Sequence, residues 1–135
     1  MASAGTLRRR LTWALSLMKL RDYGITASPG RRFAGFVEII CELADSQLEP
    51  LLLALPLEAE IFTPDPEDAD CRREVRRTVK GLEFKRGCHG AYGTWRMGSL
   101  EQCVGWLSAG TSVIGKLTKP GYGAGLVIPE VEYEG

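Results

Sequence analysis

The stretch REVRRTVKGLEFKR (Arg73–Arg86) decides the fold class, because it interleaves apolar residues with cations on both sides of a glycine. Its apolar residues are Val75, Val79, Leu82 and Phe84. Interleaved apolar and polar side chains are typical of strands that have one exposed face. The stretch therefore predicts one or two strands, and a sheet becomes the centre of the predicted domain.

The residues after this stretch predict more strand and then a helix. AYGTWRM (91–97) continues the strand pattern, and Ser99 with Gln102 forms the S-x-x-Q capping box that opens a helix. Gly110 is expected to end that helix as the glycine that follows its last turn. The predicted buried stripe of the helix consists of Leu100, Cys103, Val104 and Leu107.

The end of the sequence predicts a closing hairpin. TSVIGKLT (111–118) and LVIPEVEY (126–133) have the composition of strands, and KPGYGAG (119–125) between them is rich in turn residues. GYGAG is not interpreted as a phosphate-binding loop, because no helix and no Gly-Lys-Ser/Thr follows it.

Upstream of the opening stretch, a strand and an acidic loop are predicted. LEAEIF (57–62) alternates apolar and acidic residues, which is the period of a half-exposed strand. TPDPEDAD (63–70) places two prolines in an acidic run and predicts an exposed loop, with bounds of about 63–74. The pattern of the segment before LEAEIF does not decide between a helix and a strand.

Two helices are predicted at the N-terminal side. The first runs from about Leu7 to Leu20 with Thr6 as its cap, and the second from about Arg31 to Asp45. The apolar face of the second helix would consist of Phe33, Phe36, Val37, Ile40, Leu43 and Ala44. The order of elements predicts a single α+β domain over residues 1–135, with two N-terminal helices and one later helix packed against an antiparallel sheet.

Composition restricts the class of protein. The chain has 135 residues, of which 44% are hydrophobic and 25% charged, as in ordinary folded domains. No apolar run reaches the roughly 18 residues of a membrane span, and the arginine-rich start lacks a signal-peptide cleavage pattern. The four cysteines are therefore expected to be reduced thiols of a cytosolic or nuclear protein.

The zero net charge results from segments of opposite sign. Residues 1–35 sum to +6, residues 36–70 to −10, residues 71–119 to +7 and the last sixteen residues to −3. Such segregation favours separate basic and acidic surfaces that attract an anionic partner or another copy of the chain. Mutual neutralisation within one fold is an equally good interpretation.

The only histidine, His89, lies beside Cys88 but predicts neither catalysis nor metal binding. On a strand these neighbours point to opposite faces, and Cys103 lies on the apolar stripe of its helix. No pair of candidate ligands has the short spacing of a structural zinc site. We therefore expect no enzymatic activity, no catalytic residue, no metal and no cofactor.

Two basic clusters and a leucine-rich segment are the candidate contact surfaces. The basic clusters favour an anionic membrane or a nucleic acid, although an ordinary solvated face is the alternative. They consist of Arg8, Arg9, Arg10, Arg72, Arg73, Arg76, Arg77, Lys80, Lys85 and Arg86. Candidate self-association contacts are Leu51, Leu52, Leu53 and Leu55, for which burial in the core is the alternative.

The order of these patterns resembles that of rhabdovirus matrix proteins. SPGRRFAGFVEIICELADSQLEP (28–50) is similar to the basic-aromatic entry of that family into an apolar helix. KGLEFKRGCHGAYGTWRMGSLEQCVGWLSA (80–109) resembles its cationic strands and tryptophan-bearing helix, and VIGKLTKPGYGAGLVIPEV (113–131) its last two strands.

The resemblance implies a non-enzymatic structural protein of the virion and the infected cell, cytoplasmic or nuclear and peripheral at a membrane. Its partners would be other copies of the chain, an anionic membrane surface, the viral nucleocapsid and host proteins. The alternative is a small cytosolic interaction module that binds nucleic acid or inhibits a host factor.

Overall fold

A computed structural model describes residues 20–88, 93–117 and 123–130, which form one α+β domain with an antiparallel sheet. The predicted helix from Leu7 lies outside the described residues except for Leu20, which is helical and buried. The elements in chain order are β1 (Ala27–Phe33), β2 (Phe36–Cys41), α1 (Asp45–Ala54), β3 (Glu60–Pro64), β4 (Cys71–Thr78), β5 (Gly81–Cys88), β6 (Arg96–Gly98), α2 (Leu100–Thr111), a 3₁₀ turn (Ile114–Lys116) and β7 (Ala124–Pro129).

In the described part of the chain, the sheet has seven strands in the order β1-β2-β7-β3-β4-β5-β6. β7, the last of these strands in sequence, lies between β2 and β3 and pairs with both. The predicted closing hairpin is therefore wrong, since residues 111–117 form the end of α2 and the 3₁₀ turn instead of a partner strand. Residues 118–122, the predicted turn, lie outside the described residues.

The predicted second helix is also wrong, because its residues form the β1–β2 hairpin. Phe33 pairs with Phe36 across a two-residue turn in which Ala34 has φ 44° and Gly35 has φ 83°. Two successive positive φ values produce the turn that matches the twist of a hairpin. The apolar positions of this segment satisfy a helical period and a strand period equally, and the turn decides between them.

The stretch from which the sheet was predicted does form a hairpin. β4 and β5 pair from Cys71↔Cys88 to Thr78↔Gly81, with Val79 and Lys80 in the turn. LEAEIF is strand only in its second half, where β3 begins. The acidic loop is shorter than predicted: residues 63–65 are buried, only 66–70 are exposed, and 71–74 belong to β4.

Helix α2 begins as predicted and packs on one face of the sheet. The Ser99 hydroxyl accepts from the Gln102 N–H and the Gln102 side chain accepts from the Ser99 N–H, so the capping box is confirmed. The helix continues past Gly110, which therefore is not its terminating glycine. Gly110 instead lets α2 lie close to β3, since a side chain there would overlap Thr63.

The core lies between this face of the sheet and the two helices. Alternate residues of each strand point towards α1 and α2, and the largest fully buried ones come from four strands and both helices. The Thr63 hydroxyl donates 2.9 Å to the Leu107 carbonyl and joins β3 to α2. The core side chains include Val37, Ile39, Leu48, Leu52, Ile61, Val75, Leu107 and Ile128.

Candidate functional site

The basic cluster predicted on β4 and β5 does not form one surface. Successive residues of a strand point to opposite faces, so the register of the hairpin divides the cations. Arg73, Arg77 and Arg86 lie on the face that carries the helices, which we call the helix face. Arg72, Arg76 and Lys85 lie on the other side, which we call the charged face, and exposed Lys80 lies in the turn.

The arginines of the helix face bind groups of the protein itself. The Arg73 guanidinium lies 4.2 Å from the ring centre of Trp106 and donates to the Trp106 carbonyl. The Arg77 Nη1 donates to the carbonyls of Leu53 at 3.1 Å and Leu55 at 2.9 Å, where α1 ends. A cation at this end of a helix satisfies carbonyls that have no partner within the helix.

Arg86 closes the acidic loop. Its Nε donates to the buried Asp65 carboxylate, whose other oxygen accepts from the Glu67 N–H at 2.8 Å. Burial by itself would raise the pKa of Asp65, but these two donors outweigh it and hold that pKa below its ordinary value. The loop is therefore fixed by a carboxylate that stays ionised.

The cations of the charged face form a network with carboxylates. Arg72 lies 2.7 Å from Glu74 and 3.6 Å from Glu38, and Lys85 lies 3.7 Å from Glu74. Glu38 and Glu74 are both buried. The Arg72 guanidinium also covers the ring of Phe62 at 4.2 Å, which shields an apolar side chain on this face.

The network extends to the next strands. Arg76 pairs with Glu83 at 3.3 Å, and both Arg76 and Lys85 lie over the ring of Trp95, at 4.2 Å and 4.7 Å. Glu60 lies beside Arg76 in the register. Burial raises the pKa of Glu60 to about 7, with a further contribution from the Glu74 carboxylate.

Six of the seven predicted contact residues on this hairpin are thus engaged inside the fold. Charges that neutralise one another within one domain were the alternative interpretation of the sequence, and the geometry of β4 and β5 favours it. The remaining predicted cations, Arg8, Arg9 and Arg10, lie outside the described residues.

Three of the four leucines predicted to mediate self-association belong to the core. Leu51, Leu52 and Leu55 are at most 4% exposed, whereas Leu53 is 61% exposed. Burial in the core was the alternative interpretation for the four leucines, and it is correct for Leu51, Leu52 and Leu55. Leu53 alone remains available for a surface contact.

The first hairpin presents cations and aromatic rings to the solvent. Every residue of β1 after Ala27 is exposed, and the Arg31 side chain is 81% exposed, with Glu38 3.8 Å away. Phe33 is 43% exposed and stacks on Phe36 with ring centres 6.2 Å apart. We call residues 31–36 the basic-aromatic tip.

No contact role was predicted for this tip, because its residues were expected to lie in a helix. The signal that could have revealed it is the RRF run between Gly30 and Gly35. β1 is also an edge strand, and Pro29 with the irregular register between Pro29 and Arg32 disfavours the addition of another strand.

The cysteines divide into a bonded pair and two buried thiols. Cys71 and Cys88 lie opposite each other in the register and form a disulfide, so the expectation of four reduced thiols is wrong. Burial raises the pKa of Cys41 to about 12 and that of Cys103 to about 11. Neither free thiol is a thiolate at neutral pH, which is the form a nucleophile requires.

Residues 20–88, 93–117 and 123–130 contain neither a metal-binding cluster nor a helix that could span a membrane. No three His, Cys, Asp or Glu side chains in those ranges converge in an arrangement that could hold a metal ion. Nor is any helix in the described part of the chain long and apolar enough to span a bilayer.

No protein-family model, curated protein or solved structure matches this chain. The resemblance to rhabdovirus matrix proteins therefore rests on the sequence patterns. The function of the contact surfaces is therefore inferred from the chemistry of their own residues.

Proposed function

We propose that this chain is a non-enzymatic viral matrix protein that self-associates under a membrane and links the membrane to a nucleocapsid. The observation that carries the proposal is the basic-aromatic tip, where Arg31 and Phe33 are exposed together at the edge of the sheet. The cations of β4 and β5 contribute less, because they are occupied by carboxylates and rings of the same fold.

The chemistry of the tip suits an anionic bilayer. Aromatic rings are favoured at the boundary between headgroups and acyl chains, and cations near an anionic surface contribute about 1 kcal/mol each. The tight turn at Ala34 and Gly35 holds Phe33 and Phe36 as a stacked pair. Little conformational freedom of the backbone is therefore lost when the tip binds.

Vesicle flotation tests the membrane contact. We expect the wild-type chain to float with vesicles that contain phosphatidylserine, to remain at the bottom with phosphatidylcholine alone, and to dissociate as salt increases. Arg31→Ala/Phe33→Ala should reduce the floated fraction several-fold. Lys80→Ala, which removes an exposed cation from the other hairpin, is the matched control and should float like the wild type.

A wild-type chain that ignores anionic vesicles would overturn the membrane part of the proposal. Sedimentation across a salt series tests self-association in parallel, and a chain that stays monomeric at high concentration and low salt would overturn that part. The nucleocapsid link is tested by co-sedimentation with purified nucleocapsids.

The second candidate is a small interaction module that binds nucleic acid, and the same tip favours it. Single-stranded RNA is bound by cations that follow its backbone and by aromatic rings on which bases stack. This function predicts stoichiometric binding to an RNA oligonucleotide without binding to vesicles. A gel-shift measurement with the same three proteins distinguishes the two candidates.

A further inference from the structure

Three exposed apolar side chains lie on chain segments that meet at one end of the sheet. Leu53 is 61% exposed, Leu57 49% and Val79 84%. Arg77 holds their segments together, because its side chain donates to the Leu53 carbonyl at 3.1 Å and its carbonyl accepts from the Glu58 N–H at 2.8 Å. We call Leu53, Leu57 and Val79 the end patch.

Leu57 is turned outward by a strained turn. Glu58 has φ 66°, a left-handed conformation that residues with a side chain rarely adopt. The turn is held by the Ala59 N–H, which donates 3.2 Å to the Pro56 carbonyl. The fold therefore maintains an unfavourable backbone conformation at the point where an apolar side chain faces the solvent.

Val79 occupies the tip of the β4–β5 turn, where polar residues are usual. The Thr78 hydroxyl accepts from the Lys80 N–H at 3.2 Å and donates to the Gly81 carbonyl at 3.3 Å, and Gly81 takes φ 133°. The turn is thus built by Thr78 and Gly81. The valine side chain has no part in this turn and, at 84% exposed, contributes little to the core.

We propose that the end patch is a self-association surface that binds the same patch of a second copy across a two-fold axis. The inference rests on the proposed function and names the surface for its self-association step. In a contact with two-fold symmetry, every pairing between two different residues occurs twice. If one residue of the first copy touches a second residue of the other copy, the reverse contact also forms. Charged residues of such a surface can therefore form ion pairs across the axis only if the surface carries both signs.

The charges beside the end patch meet this requirement. Exposed Lys80 follows Val79, and exposed Glu58 follows Leu57. The contact would place Lys80 of each copy against Glu58 of the other and bury the three apolar side chains between the two pairs.

Sedimentation velocity over a concentration series tests this surface. Val79→Lys places two like charges near the axis and should weaken self-association by about tenfold or more. Because Val79 is exposed at a turn, this substitution removes no core contact. Tyr23→Lys is the matched control, since Tyr23 is a 38% exposed aromatic side chain that precedes β1, at the end of the sheet opposite the β4–β5 turn, and it should associate like the wild type.

A charge exchange gives a second test that does not depend on the valine. Lys80→Glu and Glu58→Lys should each weaken association several-fold, and the double variant should restore it to near the wild-type level. A monomeric wild-type chain, an unchanged Val79→Lys variant or a double variant that stays dissociated overturns the inference.

Flotation separates this inference from the proposed function. Val79→Lys should still float with anionic vesicles. If it floats and associates like the wild type, the end patch is wrong and the matrix function stands. If the wild type neither floats nor associates, the proposed function itself fails.

Discussion

The β1–β2 and β4–β5 hairpins are both rich in arginine, yet they expose their cations to different extents. On β4–β5 each arginine binds a carboxylate, a carbonyl or an aromatic ring of the same domain. On β1–β2 the tip residues are exposed beside a stacked pair of rings. Cation content therefore does not identify a contact surface, and the difference lies in what the neighbouring strands place opposite each cation.

The position of each hairpin in the sheet explains the contrast. β4 has neighbours on both sides, and its register sets Glu74 opposite Lys85 and Arg76 opposite Glu83. β1 is an edge strand whose only neighbour among the described strands is β2. An interior hairpin has its cations partly covered by neighbouring strands and helices, whereas the edge hairpin leaves the Arg31 side chain 81% exposed.

The largest difference in stability between the hairpins should come from the disulfide of β4–β5. Replacing Cys71 and Cys88 with alanine opens a link between residues 17 apart, which should lower the free energy of unfolding by about 3 kcal/mol. Urea denaturation with and without a reductant measures this. In the double variant the reductant should have no effect, and a loss below about 1 kcal/mol would contradict the role assigned to the bond.

The next largest effect should come from Glu74→Gln, which removes the carboxylate shared by Arg72 and Lys85. Glu74 is 6% exposed and bonds to Arg72 at 2.7 Å, and hydrogen bonds to charged groups contribute about 1.5–3 kcal/mol. We expect a loss of roughly 2 kcal/mol in chemical denaturation. Since a Cβ at Gly87 would come within 2.9 Å of this carboxylate, Gly87→Ala should be destabilising as well. Wild-type stability in both variants would show that the network contributes nothing.

Glu60 should make stability depend on pH in the direction opposite to an ordinary salt bridge. Its folded pKa of about 7 lies above the ordinary value of 4.5, so the folded chain holds this proton more tightly than the unfolded chain. The free energy of unfolding should therefore decrease as pH rises from about 4.5 to 7 and stay low above that. Allowing for partial exposure of the side chain, the cost is roughly 1–2 kcal/mol.

Denaturation of Glu60→Gln at pH 5 and pH 8 checks this, because the variant should be more stable than the wild type at pH 8 and similar at pH 5. Asp65 should change stability with pH in the opposite direction. Its lowered pKa stabilises the fold at pH values above the ordinary pKa of 3.8, and this contribution is lost as pH falls through the lowered pKa. The pH range of this effect lies below that of Glu60. An unchanged pH profile in Glu60→Gln would refute the assignment.

The smallest effect is expected on β1–β2. Arg31→Ala removes a side chain that is 81% exposed and lies 3.8 Å from the buried Glu38, which keeps Arg72 as a nearer partner at 3.6 Å, and long ion pairs with an exposed cation contribute between zero and about 1 kcal/mol. We expect a change below about 0.5 kcal/mol in the same denaturation assay. A loss as large as that of Glu74→Gln would mean that the tip is structural and would weaken its assignment as a contact surface.

The sequence predicts those parts of the fold that depend on local pattern. The β4–β5 hairpin follows from interleaved apolar residues, and the start of α2 follows from the Ser99–Gln102 capping box. The β1–β2 segment fails because Phe33, Phe36, Val37 and Ile40 satisfy a helical spacing, and only the turn at Ala34 and Gly35 excludes the helix.

The site was less predictable than the fold. Whether Arg72 is free or paired depends on Glu38 and Glu74, and Glu38 reaches it only because β7 and β3 set the distance between β2 and β4. Such pairings depend on strand order, which single-residue patterns do not encode. The placement of β7 between β2 and β3 also escaped prediction, since its partners are distant in sequence.

The central position of β7 has a consequence for how the chain acquires its structure. Both neighbours of β7 are synthesised long before it. The edges of β2 and β3 that pair with β7 therefore remain unpaired while the intervening elements emerge from the ribosome. Contacts between distant segments are slow to form, and exposed strand edges in a nascent chain promote aggregation. A ribosome that terminates before residue 124 would release two separate half-sheets, and we expect such products to depend on chaperones or to be degraded.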